Sequence, residues 1–134
     1  MTIVLFMTNA IEWIILITDN YLKSKSFYKD VLRLTVVREI DDEEFVQFKL
    51  NNCFLALYGR TQTEKLLGKK YLNKAGGAIY TWAESENVDK LYEELKGKGV
   101  TFIKPPQTQP WGQRTAYFTD PDGTIWEIQQ WVKK

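Results

Sequence analysis

Apolar and polar positions follow two rhythms along this chain, and the changes of rhythm mark out its elements. From Ile11 to Thr18 the run IEWIILIT is short, apolar and β-branched, the pattern of a strand buried on both faces. Asp19 and Asn20 break it. Phe27, Tyr28, Val31, Leu32 and Leu34 then recur at helical spacing, with Lys23, Lys25, Lys29 and Asp30 on the other side, which predicts an amphipathic helix of about three turns. Three strands are predicted next, at Leu34–Ile40, Glu44–Leu50 and Cys53–Tyr58. Asp41-Asp42 and Asn51-Asn52 separate them, residue types suited to tight antiparallel turns. The order of the first half is therefore βαβββ.

Between Gly59 and Gly76 the chain turns polar and loses any clean period, as a linker does, with a helical turn expected around Glu64 to Leu67. The pattern then repeats. Gly77–Ala83 reads as a strand. Asn87 can cap a helix whose Val88, Leu91, Tyr92 and Leu95 form an i, i+3, i+4, i+7 stripe, ended by Gly97 and Gly99. Val100–Ile103 is a short strand stopped by Pro105-Pro106. Pro110 to Gln130 closes the chain as a hairpin around Asp120-Pro121-Asp122-Gly123, where proline presets φ and glycine supplies a conformation that a side chain would resist. Phe27-Tyr28 answers Leu91-Tyr92 and Val31 answers Leu95, so the chain is an internal duplication. The fold class is α+β: one domain over 1–134, with a first module at about 11–59, a linker at about 60–76 and a second module at about 77–131. Each copy alone has too small a core, so the two sheets are expected to pair and leave a cleft.

Composition narrows the function. With 134 residues, the chain is large enough to bury a core without staples. Lys and Arg number 18 against 17 Asp and Glu, with no block of one sign, so nucleic acid is not an expected partner. Cys53 is the only cysteine, which rules out an intrachain disulfide and sits most easily with a reducing interior. The apolar run Ile3 to Met7 lacks a basic flank and is followed by Asn9 and Glu12, so neither a signal peptide nor a membrane span is expected; a soluble, cytoplasmic protein is. Histidine is absent, and with it every Ser-His-Asp or Cys-His triad.

Three segments carry a wider pattern: SKSFYKDVLRLTVV from Ser24, NVDKLYEELKGKGV from Asn87 and PWGQRTAYFTDPDGTIWEI from Pro110. Together they resemble the glyoxalase, bleomycin resistance and extradiol dioxygenase superfamily over nearly all of Ile11 to Gln130. The chain departs at Arg33, where the D-V-L-G-L pattern of the family has glycine. The resemblance implies two βαβββ units forming an incomplete barrel around a ligand pocket, which in the family's enzymes holds a divalent metal ligated by His, Glu or Gln from the first and last strands of each unit. Carried onto this sequence, those positions fall on Trp13, Ala56, Tyr80 and Glu127, and only the last is a ligand type. No metal and no cofactor is therefore expected. Metal-free members of the family sequester planar antibiotics such as bleomycin, commonly as dimers, which implies a planar or aromatic small-molecule partner and a homodimer here.

The residues support an aromatic pocket in their own right. Alternation puts Trp13, Ile15 and Ile17 on one face of the first strand, and Phe54, Ala56 and Tyr58 on one face of the fourth. Tyr80 and Trp82 share a face, and at least one is expected to reach the pocket. Trp111, in a Pro-Trp-Gly loop, either closes over a ligand or stacks on the surface or at a subunit contact. Phe45, Phe48, Phe54, Phe118 and Trp126 read as core first, with Trp126 and Ile128 directed at the helix. Glu127 is expected either to meet a cationic ligand or to pair with Arg114 or Lys49, since a buried carboxylate needs a partner. Cys53 reads as buried and inert. The segment TIVLFMTN before the first strand is expected to add to a sheet edge or cross to a partner subunit. The expected function is metal-independent binding of a small molecule. The alternative is a metal-dependent lyase, isomerase or dioxygenase that uses Glu127 with further donors such as Glu12 or Gln47, and a third reading makes Glu127 a general base.

Overall fold

A computed structural model describes residues 10–72 and 78–132, which form two four-stranded sheets with helices. The first module runs β1 (Trp13–Thr18), α1 (Tyr21–Ser26), β2 (Thr35–Ile40), β3 (Phe45–Lys49) and β4 (Phe54–Gly59). After α2 (Arg60–Leu67) come β5 (Ile79–Thr81), α3 (Val88–Gly97), β6 (Thr101–Thr108), β7 (Gln113–Thr119) and β8 (Ile125–Trp131). Strand order is β1-β4-β3-β2 in one sheet and β5-β8-β7-β6 in the other, with β1 and β5 each parallel to the last strand of its module. These are two βαβββ units, open rather than closed.

Local chemistry explains the helix ends. The Asn20 side chain accepts from Lys23 N at 3.2 Å and the Asn87 side chain accepts from Lys90 N at 3.1 Å, each satisfying a donor that the first turn leaves unpaired. The first helix is α-helical only to Ser26 and widens into a π turn over Phe27–Val31, so the single amphipathic α-helix of the sequence reading is corrected. The polar linker holds more helix than one turn, since α2 starts at Arg60. Of the strand expected at Gly77–Ala83, β5 covers Ile79–Thr81, Ala78, Trp82 and Ala83 fall outside it, and Gly77 lies outside the described residues. Pro105-Pro106 does not stop β6: its register against β7 shifts between Phe102 and Lys104 and again between Lys104 and Gln107, and irregular edge pairing tolerates residues that cannot donate to a ladder. Residues 1–9, on which the arm prediction falls, lie outside the described residues.

One core serves both modules. Leu16, Val46, Phe48, Leu55 and Leu57 from the first sheet join Ala116, Phe118, Trp126 and Ile128 from the second, with Tyr28, Val88 and Leu95 from the helical segments. The closing hairpin ties the modules together through polar contacts. Asp120 Oδ1 accepts from the backbone N–H of Asp122 and of Thr124, while its Oδ2 accepts from the hydroxyl of the fully buried Tyr28 at 2.6 Å. Trp126 Nε1 donates to that same hydroxyl at 3.0 Å. Asp122 reaches the start of α1, accepting from Asp19 N at 2.8 Å and from Ser24 Oγ at 2.6 Å. Burial, reinforced by the Asp120 charge, pushes the Tyr28 phenol far above its usual range, so it stays a donor. Among the described residues, no helix is long and apolar enough to cross a membrane.

Candidate functional site

Strand pairing sorts the side chains of each sheet into a core face and an open face. In the first sheet Trp13 lies opposite Phe54, Ile15 opposite Ala56 and Ile17 opposite Tyr58; Ala56 in turn faces Gln47, and Tyr58 faces Phe45. These residues share the other face, because Leu16, Leu55, Leu57, Val46 and Phe48 alternate with them and are buried in the core; on that otherwise open face Ala56 and Gln47 are themselves buried beneath their neighbours. Four rings form a continuous chain there. Trp13 lies 5.2 Å from Phe54 and 6.4 Å from Phe45, and Phe45 lies 6.1 Å from Tyr58. Such spacings suit tilted and edge-to-face ring contacts. Phe45, expected in the core, belongs instead to this aromatic wall, and Phe54, read both as core and as a member of the face carrying Ala56 and Tyr58, lies on that face. Phe48, Phe118 and Trp126 are buried as expected.

The open face of the second sheet is polar. Thr81 lies opposite Glu127, and Glu127 opposite Tyr117. Thr81 Oγ1 donates to Glu127 Oε1 at 2.8 Å, and the Tyr117 hydroxyl donates to Glu127 Oε2 at 2.5 Å. The expected basic partner is not the one used: Arg114 pairs with Asp89 through two hydrogen bonds of 2.7 and 2.9 Å. Partial burial, with the hydrogen bond to Glu127 next, raises the Tyr117 phenol above its ordinary value. A line of amides continues the polar track. Trp111 Nε1 donates to Gln113 Oε1 at 2.8 Å and Gln113 Nε2 donates to Gln129 Oε1 at 3.1 Å. Trp111 is 57% exposed beside Gly112, whose φ of 101° the tight turn requires.

The predicted site residues thus divide. Trp13, Phe54, Ala56 and Tyr58 share one open face; Glu127 stands on the other, with Trp111 hydrogen-bonded to the amide track that runs along it. Tyr80 and Trp82 are corrected, because both point to the core side and pack on Trp126, Tyr80 at 5.1 Å and Trp82 stacked at 4.5 Å. Of the positions carried over from the family pattern, Trp13 and Tyr80 stand at one fixed distance ahead of Asn20 and Asn87, and strand pairing moves both. Thr18 runs almost directly into α1 at Tyr21, whereas a longer segment separates Thr81 from Val88, so no fixed count serves both modules. By pairing, the four equivalent positions are Ile15 and Ala56 in the first module and Thr81 and Glu127 in the second. Thr81, Tyr117, Gln113 and Gln129 were missed in the sequence, although the period of two from Glu127 reaches Gln129 and the hairpin register reaches Tyr117. Cys53 is half-buried, just ahead of β4.

Comparison with known proteins gives the same picture. The model of the Glyoxalase/Bleomycin resistance protein/Dioxygenase superfamily matches residues 10–128. The chain belongs to that superfamily. The uncharacterized protein YraH of Bacillus subtilis is 31% identical over 117 residues, covering 84% of this chain and 91% of the relative. The crystal structure of a glyoxalase/bleomycin resistance protein/dioxygenase from Nocardioides superposes with a TM-score of 0.81 at 27% identity, covering 97% of this chain and 88% of that one. The metallothiol transferase FosB of Staphylococcus saprophyticus is 26% identical over 106 residues, 79% of this chain and 66% of its own length.

The metal that superfamily enzymes hold does not fit the residues present. Two of the four equivalent positions, Ile15 and Ala56, carry no donor atom, and a first shell needs several donors at fixed distance. Both carboxylate oxygens of Glu127 already accept hydroxyl hydrogens. Among the described residues, no group of three or more His, Cys, Asp or Glu could hold an ion. Gln47 is buried opposite Ala56, and Glu12 is exposed ahead of β1.

Proposed function

We propose that this superfamily member is a metal-independent binding protein that sequesters a planar, partly apolar small molecule with a cationic or hydrogen-bonding edge, in the manner of an antibiotic-binding protein. The observation that carries this reading is the contrast between the two open faces: an aromatic wall of Trp13, Phe45, Phe54 and Tyr58, and a polar wall built on Glu127. Flat rings stack on the first, each contact adding about 0.5 to 1.5 kcal/mol beyond area burial. A ligand cation meets the Glu127 carboxylate on the second, with the amides of Gln113 and Gln129 beside it.

The working unit in this proposal is a homodimer. Ile15 is 52% exposed and Ile79 is 58% exposed, each on the open face of its sheet, and a second copy laid against these faces covers them and closes the cleft. The single cysteine suits a cytoplasmic site of action. The alternative, a metal-dependent lyase, isomerase or dioxygenase, is favoured by the printed name of FosB among the relatives, and it requires a donor beside Glu127. Tryptophan fluorescence titrated with a panel of planar aromatic cations tests the binding reading, since saturable quenching is expected for at least one member and a flat response across the panel argues against it. Elemental analysis of untagged protein separates the alternative, which requires about one ion per chain.

A further inference from the structure

We propose a second ligand site, on the helical side of the second sheet, that takes a small apolar monocarboxylate. A cavity of about 270 Å³ opens there, lined by Val31, Leu34, Trp82, Leu91, Phe118 and Ile128. Trp82, Phe118 and Ile128 lie on the core face of their sheet, so this space is separate from the aromatic wall and from Glu127. Its volume sits just under the roughly 300 to 1,000 Å³ of ordinary ligand pockets, which sets the occupant as a small molecule with an apolar body. The polar part of the lining is Arg33, Glu94 and Lys98. Two cations against one carboxylate favour a single negative head group, repel an amine of the same shape, and leave Glu94 to disfavour a second carboxylate.

Arg33 supplies an independent reason. Its φ is 61°, a left-handed conformation that glycine adopts freely and side chains resist, at the end of the π turn over Phe27–Val31. Backbone needs alone would favour glycine there. Among the described residues the Arg33 guanidinium makes no hydrogen bond or ion pair, so no internal contact accounts for an arginine at a strained position. A planar guanidinium at the edge of an apolar cavity is suited to a carboxylate head group, while the Trp82 indole, stacked on Trp126, offers the tail a flat surface.

The test is calorimetric titration of the full chain with octanoate and with octylamine, beside the variants Arg33→Gly and Lys98→Gln. Octanoate is expected to bind saturably and octylamine at least tenfold more weakly. Arg33→Gly should weaken octanoate tenfold or more while raising the melting temperature, because glycine relaxes the left-handed position; Lys98→Gln should weaken it several-fold. In indole N–H spectra, octanoate should shift the Trp82 resonance and leave that of Trp13 in place. Equal binding of the amine, full affinity in Arg33→Gly, no saturable heat with octanoate, or a shift at Trp13 instead of Trp82 would each overturn the proposal.

Discussion

The Tyr28 hydroxyl is the point at which the two modules share a buried polar contact, and Tyr28→Phe removes it with almost no change of shape. Asp120 Oδ2 loses a donor at 2.6 Å and Trp126 Nε1 loses an acceptor at 3.0 Å, both within a core from which water is excluded. A hydrogen bond to a charged group contributes about 1.5 to 3 kcal/mol, and an unsatisfied buried donor costs about 1 to 3 kcal/mol. The two terms overlap because one hydroxyl serves both partners, and Asp120 keeps the N–H groups of Asp122 and Thr124 on Oδ1. The expected loss is therefore about 2 to 4 kcal/mol, a large share of the roughly 5 to 15 kcal/mol that holds a domain folded. At about 3 °C per kcal/mol for a chain of this size, Tm should fall by about 6 to 12 °C. Urea unfolding followed by tryptophan fluorescence measures it, with an unchanged m-value expected because the same surface is exposed. A loss below about 0.5 kcal/mol would refute the reasoning, since the hydroxyl would then hold nothing that Phe cannot. A fall in m would show instead that the modules unfold separately.

Three further outcomes are expected. Glu127→Gln removes the charge and leaves one acceptor oxygen in place of two, weakening the contact that helps raise the Tyr117 phenol, so its titration, followed by labelled tyrosine NMR, should move down toward the ordinary value; an unmoved phenol would mean burial alone sets it. The Tyr21 hydroxyl, then Lys25, hold Asp41 below its ordinary value of 3.8, so on acidification the unfolded chain takes up this proton first. Its contribution to stability is complete above that ordinary value and is lost as pH falls through the folded one; Asp41→Asn should flatten the acid limb below about pH 4, and an unchanged limb would contradict the pairing. Ile15→Lys places a charge on the open face of β1 and should convert the proposed dimer to a folded monomer, seen by light scattering with an unchanged far-ultraviolet spectrum; a persistent dimer would move the interface elsewhere.

The fold was legible because its determinants are local. Asn87 caps its helix as its side chain suggests, Asn20 follows the end of β1 and caps α1 in turn, and the turn at Asp120–Gly123 joins β7 to β8 where proline and glycine place it. Faces were less legible than strands. Trp126, Glu127 and Ile128 alternate as read, but Tyr80 and Trp82 turned inward because the register of a three-residue strand is set by its parallel neighbour β8. Phe45 illustrates the same limit, since an aromatic on a strand reads as core until pairing with Tyr58 shows which side it takes. The partners of Glu127 were invisible for a related reason: charge suggested Arg114, whereas hydroxyls from β5 and β7 reach the carboxylate first, and Asp89 on α3 holds the arginine. The prolines of β6 show the converse, a local rule overridden by irregular pairing at a sheet edge.

In the proposed function, an aromatic wall and a hydroxyl-held carboxylate bind ligand where enzymes of this superfamily use a metal. The most direct measurement is a calorimetric titration of untagged protein with a planar aromatic cation, run in EDTA and again with added zinc or nickel. Equal saturable affinity in both, lost on Trp13→Ala and weakened on Glu127→Gln, is the predicted result. Binding that appears only with the divalent ion would contradict it.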